Sequence, residues 1–209
     1  KEEYMEEFYS LAMLISIGTF ALTSATTPGP NNIMLLSSGL TFGYKKTIPH
    51  ISGIVIGFPL MVLLIGLGFG VVFEKFPVLL SGLKIVGILY LFWMAFKIAR
   101  NTGTYDVEED EDSKPFTFLQ AATFQWVNPK AWIMAITAIS IFVTANENTI
   151  FQVVVISTIF FITAIISSNT WAFGGVVLKK FIKDEAMVRK LNIAMAILLI
   201  ASVLPIIFE

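Results

Sequence analysis

Six long apolar segments follow one another along this 209-residue chain, and they constrain the fold more than any other feature. They cover residues 10–36, 48–73, 78–99, 116–143, 150–178 and 187–207. A helix needs about 20 mostly apolar residues to cross a bilayer, and each segment reaches that length. Charged residues make up 14% of the chain, whereas soluble domains carry about 25%. The sequence therefore predicts an all-α polytopic membrane protein with six transmembrane helices embedded in a lipid bilayer.

Lys and Arg are distributed unevenly among the connections between these segments. The first, third and fifth connections together carry ten of them, and the opposite side carries two or three. Connections rich in Lys and Arg stay in the cytoplasm. This pattern predicts that both termini lie outside. The net charge of −1 by itself says nothing about nucleic acid, but no basic stripe interleaves with aromatic residues, so we predict no nucleic-acid partner.

A polar and strongly acidic stretch divides the chain into two halves. This linker covers residues 101–115 and contains the run DVEEDED at residues 106–112, whose role the sequence leaves open. The halves, residues 1–100 and 116–209, each contain three predicted helices, and an odd number forces them to insert in opposite orientations. Inverted three-helix repeats are a known transporter plan with the substrate site near the midplane. We therefore predict two inverted repeats joined by a cytoplasmic linker.

The first predicted helix of each half contains a helix-breaking motif, TPGPNN at residues 27–32 and QWVNPKAW at residues 125–132. Proline removes a backbone donor and disrupts the preceding turn. Unpaired backbone at membrane depth is tolerated only where it is buried in protein or lines a wet cavity. Two unrelated proline kinks would explain the prolines but not the asparagines and the lysine beside them. We expect both helices to be broken around one substrate site, with these candidate binding residues: Pro28, Gly29, Pro30, Asn31, Asn32, Gln125, Asn128, Pro129, Lys130, Trp132 and Asn169.

Lys130 is the most informative single residue. It lies about 20 Å into the fourth predicted helix at 1.5 Å per residue, where a lysine costs on the order of 2.5–3.5 kcal/mol on insertion scales. No predicted helix contains an Asp or Glu that could pair with it. Its remaining partners are backbone carbonyls, asparagine side chains, water or a bound anion. We expect a substrate carboxylate; a lysine in a water-filled vestibule with no ligand role is the alternative.

The two ends of a broken helix suit a zwitterion. Helix N-termini attract a carboxylate, and C-terminal carbonyls attract a cation. A dibasic substrate would bring a second cation, for which the predicted helices offer no carboxylate. These features favour small, net-neutral amino acids as the substrate. A small anion, a dibasic amino acid or a metal ion remains an alternative solute, and a non-transporting membrane scaffold is the alternative function.

Other functions lack the residues that they need. The chain has no cysteine and one histidine, His50. An enzyme would require a nucleophile with a base, or a set of metal ligands, so we predict no catalytic activity, no metal and no cofactor. Protons are a candidate coupling ion, since Lys130 and His50 could exchange them with water, but uncoupled efflux fits nearly as well. A homodimer is compatible with the sequence, which does not determine the oligomeric state.

Three segments resemble the LysE/RhtB family of bacterial amino-acid exporters. They are TPGPNN, the later VNPKAW, and LKIVGILYLFWMAFKIAR at residues 83–100, and the glycines at 39, 43, 53 and 57 are spaced as in that family. The resemblance covers nearly the whole chain. It implies a six-span protein of the bacterial inner membrane that exports amino acids, with both motifs at the transport site. The residues that it carries over are Pro28, Gly29, Pro30, Asn31, Asn128, Pro129 and Lys130.

Overall fold

A computed structural model describes residues 10–70, 75–100, 114–144, 148–182 and 184–202. These residues form seven α-helices and one π-helical segment, Ile65–Phe69, and no β-strand. The α-helices are α1 (Leu11–Thr26), α2 (Pro30–Leu64), α3 (Pro77–Arg100), α4 (Phe118–Phe124), α5 (Pro129–Phe142), α6 (Thr149–Lys179) and α7 (Glu185–Ala201). The prediction of an all-α protein is confirmed for this part of the chain. The acidic run at residues 106–112 and the end of the sixth predicted segment lie outside the described residues.

Within the described residues, three helical stretches are long and apolar enough to cross a bilayer, namely Pro30–Gly68, Ser81–Arg100 and Thr149–Lys179. Helices α1 and α5 are also apolar but shorter. Many large apolar side chains remain exposed on the outer surface, such as Leu89 on α3 and Ile150 on α6. An apolar exterior of this kind suits lipid rather than water, because a soluble monomer rarely exposes large contiguous apolar patches.

The helix ends follow local sequence rules. The side chain of Ser10 accepts a hydrogen bond from Met13 N at the start of α1, and Thr117 and Gln120 form a reciprocal capping box at the start of α4. Pro30 and Pro129 occupy the first turns of α2 and α5, where the missing N–H of proline has no intrahelical partner to lose. Helical geometry is therefore favoured immediately after each proline motif.

Gly43 interrupts α2. Its φ of 77° lies in the left-handed region, which glycine enters without a steric cost. This interruption falls between the first two predicted helices, immediately before Lys45 and Lys46. The dihedral change divides the 35-residue helix into two parts at the place where the sequence predicts a connection.

Helices α2 and α6 cross at close range through small residues. A Cβ atom at Gly39 would collide with Ala172 O, and a Cβ atom at Gly175 would collide with Leu36 O and lie 2.7 Å from Leu40 N. Small residues at such a crossing let two backbones approach, which is how helices associate in membranes without a hydrophobic driving force between them. This crossing holds α6 against the N-terminal part of α2, beside the first proline motif.

An aromatic cluster fills the neighbouring interior. Phe160 of α6 is fully buried and makes edge-to-face contacts with Phe58 of α2 and Phe20 of α1, at ring-centroid distances of 5.2 and 6.4 Å. Such contacts add roughly 0.5–1.5 kcal/mol each to the stability gained from burial. The cluster joins α1, α2 and α6 immediately beside the region where both proline motifs meet.

Candidate functional site

A cavity of about 40 Å³ lies where the two proline motifs meet. Its lining includes Gly29, Asn31 and Asn32 of the first motif and Asn128 and Lys130 of the second. On this measure a water molecule needs about 10–15 Å³, so the cavity has room for a few waters. Helices α2 and α6 complete its walls. The structure thus brings polar residues about 100 positions apart in sequence to one small cavity, whose remaining lining is largely apolar.

The end of α1 is capped by side chains from three other helices. Each carbonyl from Thr23 to Pro28 accepts a hydrogen bond from a described residue. Thr27 N and Thr27 Oγ1 donate to Thr23 O (3.1 Å) and Ser24 O (2.8 Å). The tertiary donors are Asn32 Nδ2 to Ala25 O (2.7 Å) and Thr27 O (2.8 Å), Ser167 Oγ to Ala25 O (2.7 Å), Trp171 Nε1 to Thr26 O (3.3 Å), and Lys130 Nζ to Thr27 O (2.8 Å). An unpaired carbonyl would be costly in these apolar surroundings, and each of the six carbonyls has a donor.

The Lys130 ammonium lies directly against this end of α1. Besides Thr27 O, it donates to Thr27 Oγ1 at 2.7 Å and to Pro28 O at 3.4 Å. A cation at a helix C-terminus is stabilised by the exposed carbonyls and by the helix dipole. Gly29 makes the approach possible, since a Cβ atom there would lie 2.7 Å from Lys130 Cδ and 3.0 Å from Nζ. The protein partners of Lys130 are thus backbone carbonyls and a hydroxyl, and its binding of a substrate carboxylate stays a prediction.

A pair of amide side chains joins the two motifs. Asn31 Nδ2 donates to Gln125 Oε1 at 2.8 Å, and Gln125 Nε2 donates back to Asn31 Oδ1 at 3.2 Å. Gln125 also donates to Ala121 O at 2.8 Å and is fully buried. A buried amide that lost its partner would carry a desolvation penalty of about 1–3 kcal/mol. The pair therefore ties the start of α2 to the end of α4.

We expect the pairing of Asn31 and Gln125 to appear as non-additive stability. Asn31→Leu or Gln125→Leu alone should lower the free energy of unfolding by about 1–3 kcal/mol, because each removes a hydrogen-bond partner from the other amide, such as the donor to Gln125 Oε1. The double variant should cost less than the sum of the two, since it places two apolar side chains in contact. Unfolding of the four proteins in mixed micelles would measure this. Additive losses would show that the two amides do not stabilise each other.

The second motif is capped largely by its own residues. Asn128 Oδ1 accepts from Lys130 N at 3.2 Å, and the side chain of Asn128 is 2% exposed. Trp132 Nε1 donates to Trp126 O at 2.8 Å, and the two rings pack edge to face at 5.8 Å. Trp132 therefore stabilises the turn before α5. It is not among the residues that line the cavity.

The remaining predicted residues lie beside the cavity or away from it. Pro28, Pro30, Gln125 and Pro129 belong to the two motifs but do not line it. Asn169 lies on another part of α6, where it donates to Ile165 O at 2.7 Å and accepts from Tyr44 Oη. It does not line the cavity, because its side chain joins α6 to the region of α2 just after Gly43.

His50 also lies away from the cavity. It is 2% exposed and packs against the Phe116 ring at 5.1 Å, and neither ring nitrogen has a hydrogen-bond partner among the described residues. Of the two candidate proton carriers, only Lys130 lines the cavity.

Part of the cavity wall was not predicted from the sequence. Ser167 and Ser168 line it, whereas the sequence predicts Asn169 of the same polar stretch of α6 as the binding residue. Phe160, Ala164 and Ser168 recur every fourth residue, which places them on one face of α6. That spacing was available in the sequence, but an apolar helix presents several such stripes and only packing selects one.

Comparison with known proteins identifies the family. The family described as "LysE type translocator" matches residues 22–204. A protein named "Cysteine/O-acetylserine efflux protein" from Escherichia coli O139:H28 is 32% identical over 190 residues, which cover 90% of this chain and 94% of that protein. Proteins of the same name from Escherichia coli strain K12 and Shigella flexneri serotype 5b are 31% identical over the same shares. No solved structure matches the chain. The match of most of the chain to the family, together with the apolar helices, shows that this protein belongs to the LysE-type translocators of the membrane.

Proposed function

We propose that this protein exports small zwitterionic amino acids through the cavity between its two proline motifs. The observation that carries the proposal is the convergence of Gly29, Asn31, Asn32, Asn128 and Lys130 on one cavity. Relatives at about 32% identity are named for the efflux of cysteine and O-acetylserine, both of which are small and can be net neutral. The described residues that line the cavity include a lysine but no Asp or Glu. This charge balance favours a neutral over a dibasic substrate.

The substrate carboxylate is assigned to the side of the cavity formed by Lys130, Asn128 and the start of α2. Because Asn128 Oδ1 accepts from Lys130 N, its Nδ2 is the end available to a ligand, and no described residue accepts from it. The N-cap residue of α2 is Gly29, which provides no side-chain cap, so the first-turn N–H groups favour an anion. Of the three hydrogen bonds that Lys130 Nζ donates, the one to Pro28 O is the longest, at 3.4 Å. The N–H that makes it can turn to the carboxylate while the other two stay bonded to Thr27.

The substrate ammonium is assigned to acceptors near the end of α1. Asn32 Nδ2 is committed to Ala25 O and Thr27 O, which leaves Asn32 Oδ1 as the free end of that amide among the described residues. The carbonyls of α1 add negative potential at the same place. A zwitterion would thus bind groups of both motifs and replace the hydrogen bond from Lys130 Nζ to Pro28 O. We propose that this exchange loosens α1 from α5 and drives alternating access.

Six transmembrane helices in two inverted repeats provide the proposed framework. Residues 1–100 and 116–209 form the repeats, residues 101–115 form the cytoplasmic linker, and both termini face outward from a bacterial inner membrane. Support comes from the similar placement of Pro30 and Pro129 in the first turns of α2 and α5, each after a non-helical stretch. Transporters with inverted repeats place substrate at the repeat interface between interrupted helices.

Efflux from proteoliposomes tests the proposal. Vesicles containing the purified protein are loaded with equal concentrations of alanine, serine, cysteine, leucine, lysine and aspartate, and their contents are followed by mass spectrometry. Small neutral amino acids should leave faster than lysine and aspartate, and faster than from vesicles without protein. Separate arms impose a pH gradient, a membrane potential or neither. Efflux that is faster with a pH gradient, but not with a membrane potential, would identify protons as the coupling ion.

Two results would contradict the proposed function. Efflux of lysine at the rate of serine would show that the cavity accepts a second cation. Efflux equal to that of empty vesicles under every gradient would show that the protein does not transport amino acids, and inorganic anions loaded in the same vesicles would then test the alternative solute.

A further inference from the structure

One stripe of α6 forms a distinct wall of the cavity. Phe160, Ala164 and Ser168 are spaced by four residues and therefore lie one above another on the same helix face. All three line the cavity, and their exposed fractions are 0%, 5% and 3%. Ala164 has the smallest of the three side chains and lies between the other two. Its methyl group leaves a recess between the Phe160 ring and the Ser168 hydroxyl.

The Ser168 hydroxyl differs from its neighbours in having no hydrogen-bond partner among the described residues. Ser167 donates to Ala25 O at 2.7 Å, Thr163 to Phe160 O at 3.1 Å and Thr170 to Ile166 O at 2.7 Å. A serine within a helix commonly bonds to the carbonyl one turn earlier, yet Ser168 does not. Its oxygen is not among the fully buried, unpartnered polar atoms of the described residues, which are the two ring nitrogens of His50, so the hydroxyl is open to the cavity. Because Ser168 lines the cavity, a ligand can provide the missing hydrogen bond.

Apolar residues from two other helices also line the cavity. They are Ile54 and Phe58 of α2 and Met134 of α5, and Phe58 packs against Phe160. Besides Lys130, the described residues of the lining carry no charged side chain. On this stripe of α6 the Ser168 hydroxyl is therefore the one polar side chain, and apolar residues lie beside it in the cavity lining. Such a space suits a short side chain with one uncharged polar atom.

We propose that Phe160, Ala164 and Ser168 form the side-chain subsite of the transport site, which accepts amino acids with a short, uncharged, hydrogen-bonding side chain. This inference rests on the proposed function and goes beyond it by assigning the selective residues. The recess at Ala164 accommodates a short substrate side chain. The Ser168 hydroxyl forms a hydrogen bond with the polar atom of that side chain. A neutral hydrogen bond of this kind corresponds to about a threefold to tenfold preference for serine over alanine.

Competition between serine and alanine in proteoliposomes tests this assignment. In the unaltered protein the ratio of their initial efflux rates should lie between about three and ten in favour of serine. Ser168→Ala should bring the ratio close to one, and Ser168→Cys should give an intermediate ratio because a thiol is a weaker donor. Ala164→Val should slow threonine more than glycine, since the added methyl groups fill the recess. The controls are Ser16→Ala and Ala12→Val on the exposed face of α1, which should leave both selectivities unchanged.

The outcomes separate this inference from the proposed function. Equal efflux of serine and alanine from the unaltered protein, or a ratio that Ser168→Ala leaves intact, overturns the subsite while amino-acid export stands. Absence of amino-acid efflux from the unaltered protein overturns both. The unaltered protein alone can therefore refute the subsite, even if a variant at Ser168 fails to fold.

Discussion

Replacing Lys130 by methionine should reduce amino-acid efflux by about 10–100-fold, which corresponds to a loss of about 1.5–3 kcal/mol from hydrogen bonds to a charged group. The variant lacks the ammonium group that donates hydrogen bonds to Thr27 O and Pro28 O at the end of α1. It also removes the cation proposed to bind the substrate carboxylate. Initial efflux from proteoliposomes with matched protein content measures the effect.

Thermal unfolding of the same variant separates the two roles of Lys130. Loss of the contacts to α1 should lower the unfolding temperature without substrate. Loss of the carboxylate partner should also abolish the rise in unfolding temperature that a substrate produces, since a ligand stabilises only the state that it binds. Lys84→Met is the matched control, because Lys84 lies on α3 and outside the cavity lining. Normal efflux by Lys130→Met would refute a role for this lysine in transport.

Adding one methyl group to Gly175 should disrupt the folded protein, whereas the same change at Gly174 should be tolerated. A Cβ atom at Gly175 would meet backbone atoms of Leu36 and Leu40, which cannot move aside as a flexible side chain could. Overpacking that forces backbone to shift typically costs about 1–3 kcal/mol, and contacts as short as these place Gly175→Ala at the upper end of that range. A Cβ atom at Gly174 meets only Leu36 Cδ1, at an ordinary 3.6 Å.

The neighbouring glycines thus provide an internal control. Both substitutions have the same intrinsic effect on α6, where alanine is favoured over glycine by about 1 kcal/mol. Gly175→Ala should give little monodisperse protein in detergent and a lower unfolding temperature, and Gly174→Ala should equal or exceed the parent. Equal stability of the two variants would show that α2 and α6 do not cross as closely as described.

Residues near one another in sequence account for much of the local structure. Pro30 and Pro129 occupy first helical turns, and Asn128 caps its own helix, because these preferences depend on the backbone within a few residues. The apolar segments predicted the all-α class because membrane-spanning length and composition are local properties. The expectation that Lys130 needs a partner also came from the sequence, since no predicted helix contains an Asp or Glu.

The identity of each partner required the assembled helices. Backbone carbonyls were one of several candidates for Lys130, and the packing of α5 against α1 selected those of Thr27 and Pro28. Asn169 and Ser168 are adjacent in α6, but consecutive helical residues point about 100° apart and only one of them lines the cavity. A uniformly apolar helix carries no periodic signal to show which of its faces meets the protein.

The two proline motifs differ in how much of their geometry follows from local sequence and how much from tertiary packing. The motif before α5 is held largely by its own residues, through Asn128, Trp126 and Trp132, so its geometry follows from the local sequence. The end of α1 instead receives donors from α2, α5 and α6. By itself the sequence determined an all-α membrane protein and the positions of its proline motifs, because those depend on composition and short-range preference. Only the tertiary structure decided which distant donors satisfy the carbonyls of α1 and which side chains surround the cavity, because a hydrogen bond across 100 residues exists only after the helices have packed.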